Sequence, residues 1–279
     1  VDSGSPSLVH HRISPKPPPL TERLRELVGA KDLGLILVRR ELQLRYKQTA
    51  LGIAWIVLQP LGPALIFAVV FGSFARLPSA GAPYLLFALA GLVLYGFFSG
   101  IVSRAGSSLI RDGSLISKIY FPRSILPLAA GIAAIVDLTV GLGVIVVFVI
   151  ALGQPMTLAV LVLPVVVALT LTLALGLGLA VAALSARLRD VAYVVPFLLQ
   201  LLLYGSPVVY SMEILPQSLA NALAINPLVP LIEAFRWSIL GTPAPNVTQI
   251  AIGTVSGLVM TVAGIGIFSR ASRDIADVV

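Results

Sequence analysis

Six long stretches of this chain are apolar at nearly every position, and polar residues gather between them. The stretches are 50–75, 84–103, 124–152, 156–186, 191–212 and 247–269. Each supplies the roughly 20 mostly apolar residues that a helix needs to cross hydrocarbon. The pattern therefore predicts an all-α integral membrane protein with six transmembrane helices. Gln59, Pro60 and Pro63 interrupt the first run and predict a kink near its start. Within the runs, helical periodicity picks out no inward face, because lipid-embedded helices are apolar all round.

The polar connections set the orientation. Six spans put both termini on one side, and the basic residues collect there. They fill the first 50 residues, the 104–123 loop (Arg104, Arg111, Lys118, Arg123), the turn with Arg187 and Arg189, and the end with Arg270 and Arg273. Of nineteen Lys and Arg, only Arg76 and Arg236 fall on the other side. Basic loops stay in the cytoplasm, so both termini are predicted to be cytosolic.

Three domains follow. Residues 1–19 are Pro-rich and basic with no apolar core, which predicts a disordered cytosolic tail and not a signal peptide. Residues 20–48 carry two amphipathic patches, and residues 49–279 form the six-span domain. In "LGLILVRRELQLRYK" Leu35, Val38 and Leu42 share one stripe, with Arg39, Arg40 and Glu41 elsewhere. Such a helix lies in the membrane interface or packs on other cytosolic parts. On the outer side, residues 213–246 hold two apolar patches split by Asn226 and Pro227. Each is too short to cross, and Pro227 and Pro230 prevent one continuous helix. Two short re-entrant helices fit, either as a lid over an exit path or as interfacial packing anchored by Trp237.

Composition narrows the chemistry. With 58% hydrophobic and 11% charged residues and a mean hydropathy of +1.01, the chain cannot cover a soluble surface. Its net charge of +7 follows from the loop bias and does not call for nucleic acid. Cysteine is absent, and the two histidines, His10 and His11, lie in the tail. No disulfide, metal centre or thiol chemistry is expected. No phosphate-binding loop of the form G-x-x-x-x-G-K-[ST] occurs, so the chain binds no nucleotide by that route.

Within the spans, Asp137 is the one ionised candidate. A carboxylate at membrane depth costs roughly 2.5–3.5 kcal/mol on insertion scales, which marks it as functional by default. Two readings remain open for it, a polar contact between helices and a place on a transport path. Phe67, Phe71 and Phe74 fall at i, i+4, i+7 on one predicted face. Tyr95 and Phe98 sit late in the second run, and Tyr204 and Tyr210 in the fifth. Aromatic rings facing a conduit can stack on sugars; facing lipid or other helices they only pack.

The loop "RDGSLISKIYFPRSILP" stands out. Arg111, Asp112 and Gly113 open a turn, and Leu115, Ile116 and Ile119 then share a face of a very short helix that Phe121 and Pro122 stop. So short a helix is unstable alone in water and must rest on something. That support is a cytosolic partner, rimmed by Arg111, Lys118 and Arg123, or the protein's own membrane domain.

These motifs carry a family resemblance. "LVRRELQLRYKQTALGIAWIVLQPL" resembles the opening of an ABC-2-type permease of the polysaccharide and polyol-phosphate export group. There an interface helix, here Arg40, Glu41, Arg45, Tyr46 and Lys47, precedes a Leu-Gly-x-x-Trp start, here Leu51, Gly52 and Trp55. "LISKIYFPRSILP" is similar to that family's coupling-helix loop, with Tyr120 inside it. "SPVVYSMEILP" and "NPLVPLIEAFRWSILG" are similar to its fifth span and outer segment, where Asn226, Pro227, Glu233, Arg236 and Trp237 are outer-gate candidates.

The resemblance covers about residues 33–270 and implies the ABC-2 (type V) exporter fold. It also implies a homodimeric channel in a bacterial plasma membrane, with two ABC ATPase subunits docked on the 113–120 helix. ATP and Mg would be bound by those ATPases, and this chain would hold no cofactor and catalyse nothing alone. The implied cargo is a polyprenyl-diphosphate-linked polysaccharide such as O-antigen, teichoic acid or galactan. A drug, antibiotic or lipid exporter of the same family is the first alternative. An ion-coupled secondary transporter is the second, but it would call for paired ionisable groups near the midplane.

Overall fold

In hydrocarbon a backbone must satisfy its own hydrogen bonds, which restricts spanning segments to helices or closed barrels. A computed structural model describes residues 26, 29–46, 54–116, 121–155, 157–188 and 190–271, and every regular element among them is helical. Helix α1 is Lys31–Tyr46. Helix α2, Ala54–Phe67, runs on as a π-helix over Ala68–Phe74. Then come α3 (Tyr84–Arg111), the short α4 (Gly113–Ile116), and α5 (Ile125–Ile132) with α6 (Ala134–Ala151). A 3₁₀ turn at Leu158–Val162 leads into α7 (Leu163–Ser185), followed by α8 (Val191–Tyr204), α9 (Gln217–Leu223), α10 (Leu228–Leu240) and α11 (Val247–Ala271). The tail, Lys47, Leu51, Gly52, Lys118, Ile119 and Tyr120 lie outside the described residues.

Five helical stretches are long and apolar enough to cross a membrane: Ala54–Phe74, Tyr84–Arg111, Ile125–Ala151, Leu158–Ser185 and Val247–Ala271. The chain is a multi-pass membrane protein. The predicted fifth run ends early. Helix α8 has 14 residues, about 21 Å of rise, against ~30 Å of hydrocarbon. Gly205 and Pro207 stop it, since proline disfavours a helical residue before it. Helices α9 and α10 pass as a span only if counted together, and they are bent by 103°. The second helix is longer than predicted and continues through Arg104 to Arg111. The described residues of the 104–123 stretch are therefore mostly helical. In the first span Pro60 and Pro63 stay inside α2, and the departure from α geometry comes after Phe67.

Helix α3 is the centre. It is buried along most of its length and packs on α7, α5, α6, α10, α2 and α8. Its crossing with α7 uses small residues, with Gly106 against Val181 and Gly178 against Ala105. Helix α11 then lies on α7, where Gly264 meets the Gly176 backbone and Gly176 meets Thr261. Lipid is as apolar as leucine, so helices associate here by close van der Waals approach, which small residues allow. Helices α2 and α8 stay at the margin, with Trp55, Leu58, Leu65 and Ile66 of α2 and Val69 of the π-helix facing outward.

Candidate functional site

Helices α2, α3, α6 and α8 surround a cavity of about 500 Å³. Its polar lining is Gln59, Ser99, Ser103, Arg104, Asp137 and Gln200, in helices that are otherwise aliphatic. Arg104 Nη2 donates to Asp137 Oδ2 at 3.3 Å, and the two side chains are 20% and 16% exposed. Gly100, one turn earlier on α3, leaves room for the guanidinium; a Cβ there would lie 2.8 Å from Arg104 Nη2. Arg104 stands about 10 Å of helix rise from the end of α3, within the helical stretch Tyr84–Arg111. An ion pair, two amides and two hydroxyls offer donors and acceptors to a polar solute at membrane depth. Among the described residues no cluster of His, Cys, Asp or Glu could hold a metal ion.

Of the two readings left open for Asp137, the polar contact between helices is what the structure shows, and the residue also lines the cavity. Sequence reasoning missed its partner by assigning Arg104 to a loop. The signal was present in the small and apolar residues after it, Ala105, Gly106 and Leu109, all buried. Asp137→Ala removes a carboxylate from a cation with little solvent, and the expected loss of stability is about 2 kcal/mol, below the 3–5 typical of fully buried pairs. The exchange Arg104→Asp with Asp137→Arg restores most of it. Thermal denaturation of the purified variants measures both.

Of the other aromatic candidates, Tyr95 lines this cavity, and its hydroxyl donates to the Leu199 carbonyl of α8. Phe98 faces a second cavity, described below. Phe67 and Phe71 pair at 5.7 Å, while Phe74 is 81% exposed. The i→i+5 bonding of the π-helix breaks the face on which the sequence had placed all three. Tyr204 is exposed at the end of α8, and Tyr210 packs on Met212, Ala220 and Val229.

At one end of the bundle the predicted interface and coupling residues come together. Arg40 pairs with Asp112 and Arg111 with Glu41, each at 2.8 Å, and Arg111 Nε lies 3.6 Å from Asp112. Leu115 and Phe121 pack on a cluster that contains Leu37 of α1 and Ile125 of α5, so part of the loop rests on its own membrane domain. The Ile116, Arg45 and Tyr46 side chains lie outside the described residues, and Arg39 is exposed. On α1 the packed stripe is Leu33, Leu37 and Val38, whereas Leu35, 67% exposed, faces out. Of the predicted stripe, Val38 packs on this cluster.

At the opposite end, α10 is packed and not free. Arg236 is 2% exposed. Its Nε donates to the Phe87 carbonyl at 3.0 Å, Nη1 to Pro207 at 2.5 Å and Nη2 to Val208 at 2.6 Å. The guanidinium lies 3.5 Å from the Phe87 ring centroid, a favourable cation–π contact. A Cβ at residue 91 would meet its Nη2 at 2.5 Å, so glycine is needed there. The Asn226 amide donates to Ser206 Oγ at 2.9 Å and to the Gly205 carbonyl, and its oxygen accepts from Leu228 N–H. Pro227 adjoins the bend, and Glu233 and Trp237 are half-buried. One of the two sequence readings anchored this segment by Trp237; in the structure Arg236 holds it with three hydrogen bonds.

Residues 33–240 match the family described as ABC-2 type transporter. An O-antigen export system permease protein RfbA of Klebsiella pneumoniae is 24% identical over 251 residues, covering 88% of this chain and 95% of that protein. The protein of the same name from Myxococcus xanthus is 28% identical over 256 residues, covering 91% and 98%. A family match that takes in α1 through α10, on an all-helical multi-span bundle, places this chain in the ABC-2 type transporter family.

Proposed function

We propose that this chain is the permease subunit of an ATP-driven exporter that moves a polysaccharide, carried on a polyprenyl diphosphate, across a bacterial plasma membrane. The observation that carries this reading is the likeness along nearly their whole length to permeases named for O-antigen export. The polar cavity supports it, since a glycan needs donors and acceptors at membrane depth. Two copies form the channel, with the exposed apolar faces of α2 and α8 as the surfaces available for a second copy. The basic end that carries α1 and α4 faces the cytosol. There two ABC ATPase subunits, which hold the ATP and Mg, dock on α4 and the residues after it.

Reconstitution tests this. The chain, co-purified with its ATPase in proteoliposomes, is expected to deliver lipid-linked glycan to the opposite leaflet only with ATP. Delivery driven by a proton or sodium gradient without nucleotide would overturn the reading. ATP-dependent efflux of a small amphiphile with no glycan movement would favour the drug-exporter alternative.

A further inference from the structure

Beside the polar cavity lies a second one, of about 470 Å³. It separates Val195, Leu198 and Leu202 of α8 from Phe98 and Val102 of α3 and Val181 of α7, and every residue that lines it is apolar. Water does not suit such a space, because a buried water needs about two to four polar partners. Side chains leave it open, although protein interiors are normally close-packed. Leu198 and Leu201 both line it and are half exposed, so it opens to the outside of the bundle. In a bilayer, what reaches it there is hydrocarbon.

Its place beside the polar cavity narrows the choice of hydrocarbon. Leu199 lines both cavities. On α3, Tyr95, Ser99 and Ser103 line the polar one, while Phe98 and Val102, from the same turns, line the apolar one. The two cavities therefore lie side by side along α3 and α8, and the contact between these helices is the seam. The Tyr95 hydroxyl donates to the Leu199 carbonyl across it. A molecule that uses both sides is an amphiphile. On the polar side Arg104, the amides of Gln59 and Gln200 and two serine hydroxyls can all donate, which suits the acceptor oxygens of a phosphate headgroup. On the apolar side there is one cavity, walled by α3, α7 and α8. A lipid phosphate with a single chain fits this pair, whereas a two-chain phospholipid would leave one chain outside.

We propose that the apolar cavity between α3, α7 and α8 binds the single isoprenoid chain of a lipid phosphate whose headgroup lies in the polar cavity. This rests on the reading above, which makes such a lipid the carrier of the cargo. The tail stays in hydrocarbon while the headgroup reaches Arg104, and the site picks the carrier out of the bulk lipid around it.

The transporter with its ATPase, in lipid nanodiscs, tests this with two photoreactive lipids. One is polyprenyl phosphate with a diazirine in its chain; the other is phosphatidylglycerol with a diazirine in one acyl chain. Polyprenyl phosphate is expected to label the cavity residues of α3, α7 and α8 at least about tenfold more than phosphatidylglycerol does, and excess unlabelled polyprenyl phosphate to remove that label. Leu202→Trp fills the cavity and is expected to cut both this labelling and ATP-driven glycan delivery about tenfold. Its melting temperature is expected to be no lower than the parent's, since filling a void does not destabilise. Leu258→Trp, on the exposed side of α11, is expected to change neither readout by more than about twofold.

Equal labelling by the two lipids would mean ordinary bilayer chains in the cavity and would overturn the proposal. Labelling by neither would overturn it too, and a Leu202→Trp transporter that no longer dimerises would then assign the cavity to a second copy. Parent-level labelling of a folded Leu202→Trp protein counts against it as well. The contrast between the two lipids in the parent decides the matter even where the tryptophan variant does not fold. Failure of the export reading looks different: polyprenyl phosphate would label the cavity of a parent transporter that delivers no glycan with ATP.

Discussion

Replacing Gly264 by leucine is expected to leave almost no folded protein in the membrane. Helix α11 crosses α7 at this residue, and a Cβ added there would stand 2.1 Å from the Gly176 carbonyl oxygen and 2.6 Å from its carbon. Both are backbone atoms of a buried helix and cannot rotate aside as a side chain would. The two helices must separate, and the α7–α11 contact, among the most extensive in the bundle, is lost with them. Overpacking in a yielding core costs about 1–3 kcal/mol; against rigid backbone the cost is at least about 3 kcal/mol, a large share of a domain's whole stability of ~5–15 kcal/mol. Lipid then takes the vacated surface with no hydrophobic penalty to drive the helices back together. Gly266, two residues on, has nothing within 4 Å of a built Cβ. Gly266→Leu is expected to stay within about 0.5 kcal/mol of the parent, as surface changes do. Size-exclusion profiles and thermal denaturation of the two variants, side by side, decide whether the crossing is as tight as this geometry requires.

Arg236→Met is expected to be nearly as damaging, by a different route. The methionine fills much of the volume but leaves the Phe87, Pro207 and Val208 carbonyls without donors. A buried acceptor left unsatisfied costs about 1–3 kcal/mol. Against this stands the relief of no longer burying a cation, which is why replacing a buried ion pair by apolar residues can be neutral. Here the acceptors are main-chain atoms and cannot be replaced with it, so the net loss is about 3–5 kcal/mol. Arg236→Lys keeps the charge but not the three-way fork and should fall between Met and the parent. Melting temperatures in that order support the account; a methionine variant as stable as the parent would mean that the carbonyls find other donors.

How much of this could be read beforehand differs from element to element. Five of the six predicted spans follow from length and composition, because crossing hydrocarbon is a demand on a whole segment; the fifth run, α8, falls short. Packed faces do not, as on α1, where Leu37 and Leu35 are equally apolar and only packing separates them. The start of the short helix α4 was legible from the turn at Asp112 and Gly113, whereas residues 117–120, which lead to Phe121 and Pro122, lie outside the described residues. Its ion pairs to α1 were not, since Glu41 and Arg111 are 70 positions apart. The polar cavity was half-legible. Asp137 stood out as a charge in an apolar run, while Arg104 lay just past a predicted end and was assigned to a loop, and Gln200, uncharged in mid-run, was not singled out. Arg236 was singled out only by the resemblance, as an outer-gate candidate, and its burial was not legible, since a single cation near a loop is normally solvated. Only the carbonyls converging on it from α3 and from beyond α8 give it a different role.

The ion pairs between α1 and the start of α4 bear on how force would travel. Four residues alone make a poor handle, yet this stub is stapled to α1 by Arg40 and Arg111, and through the Leu37 and Ile125 cluster to α5. A protein gripping it would haul on three helices at once. Because Arg40 and Arg111 are half open to water, that grip would slacken as ionic strength rises.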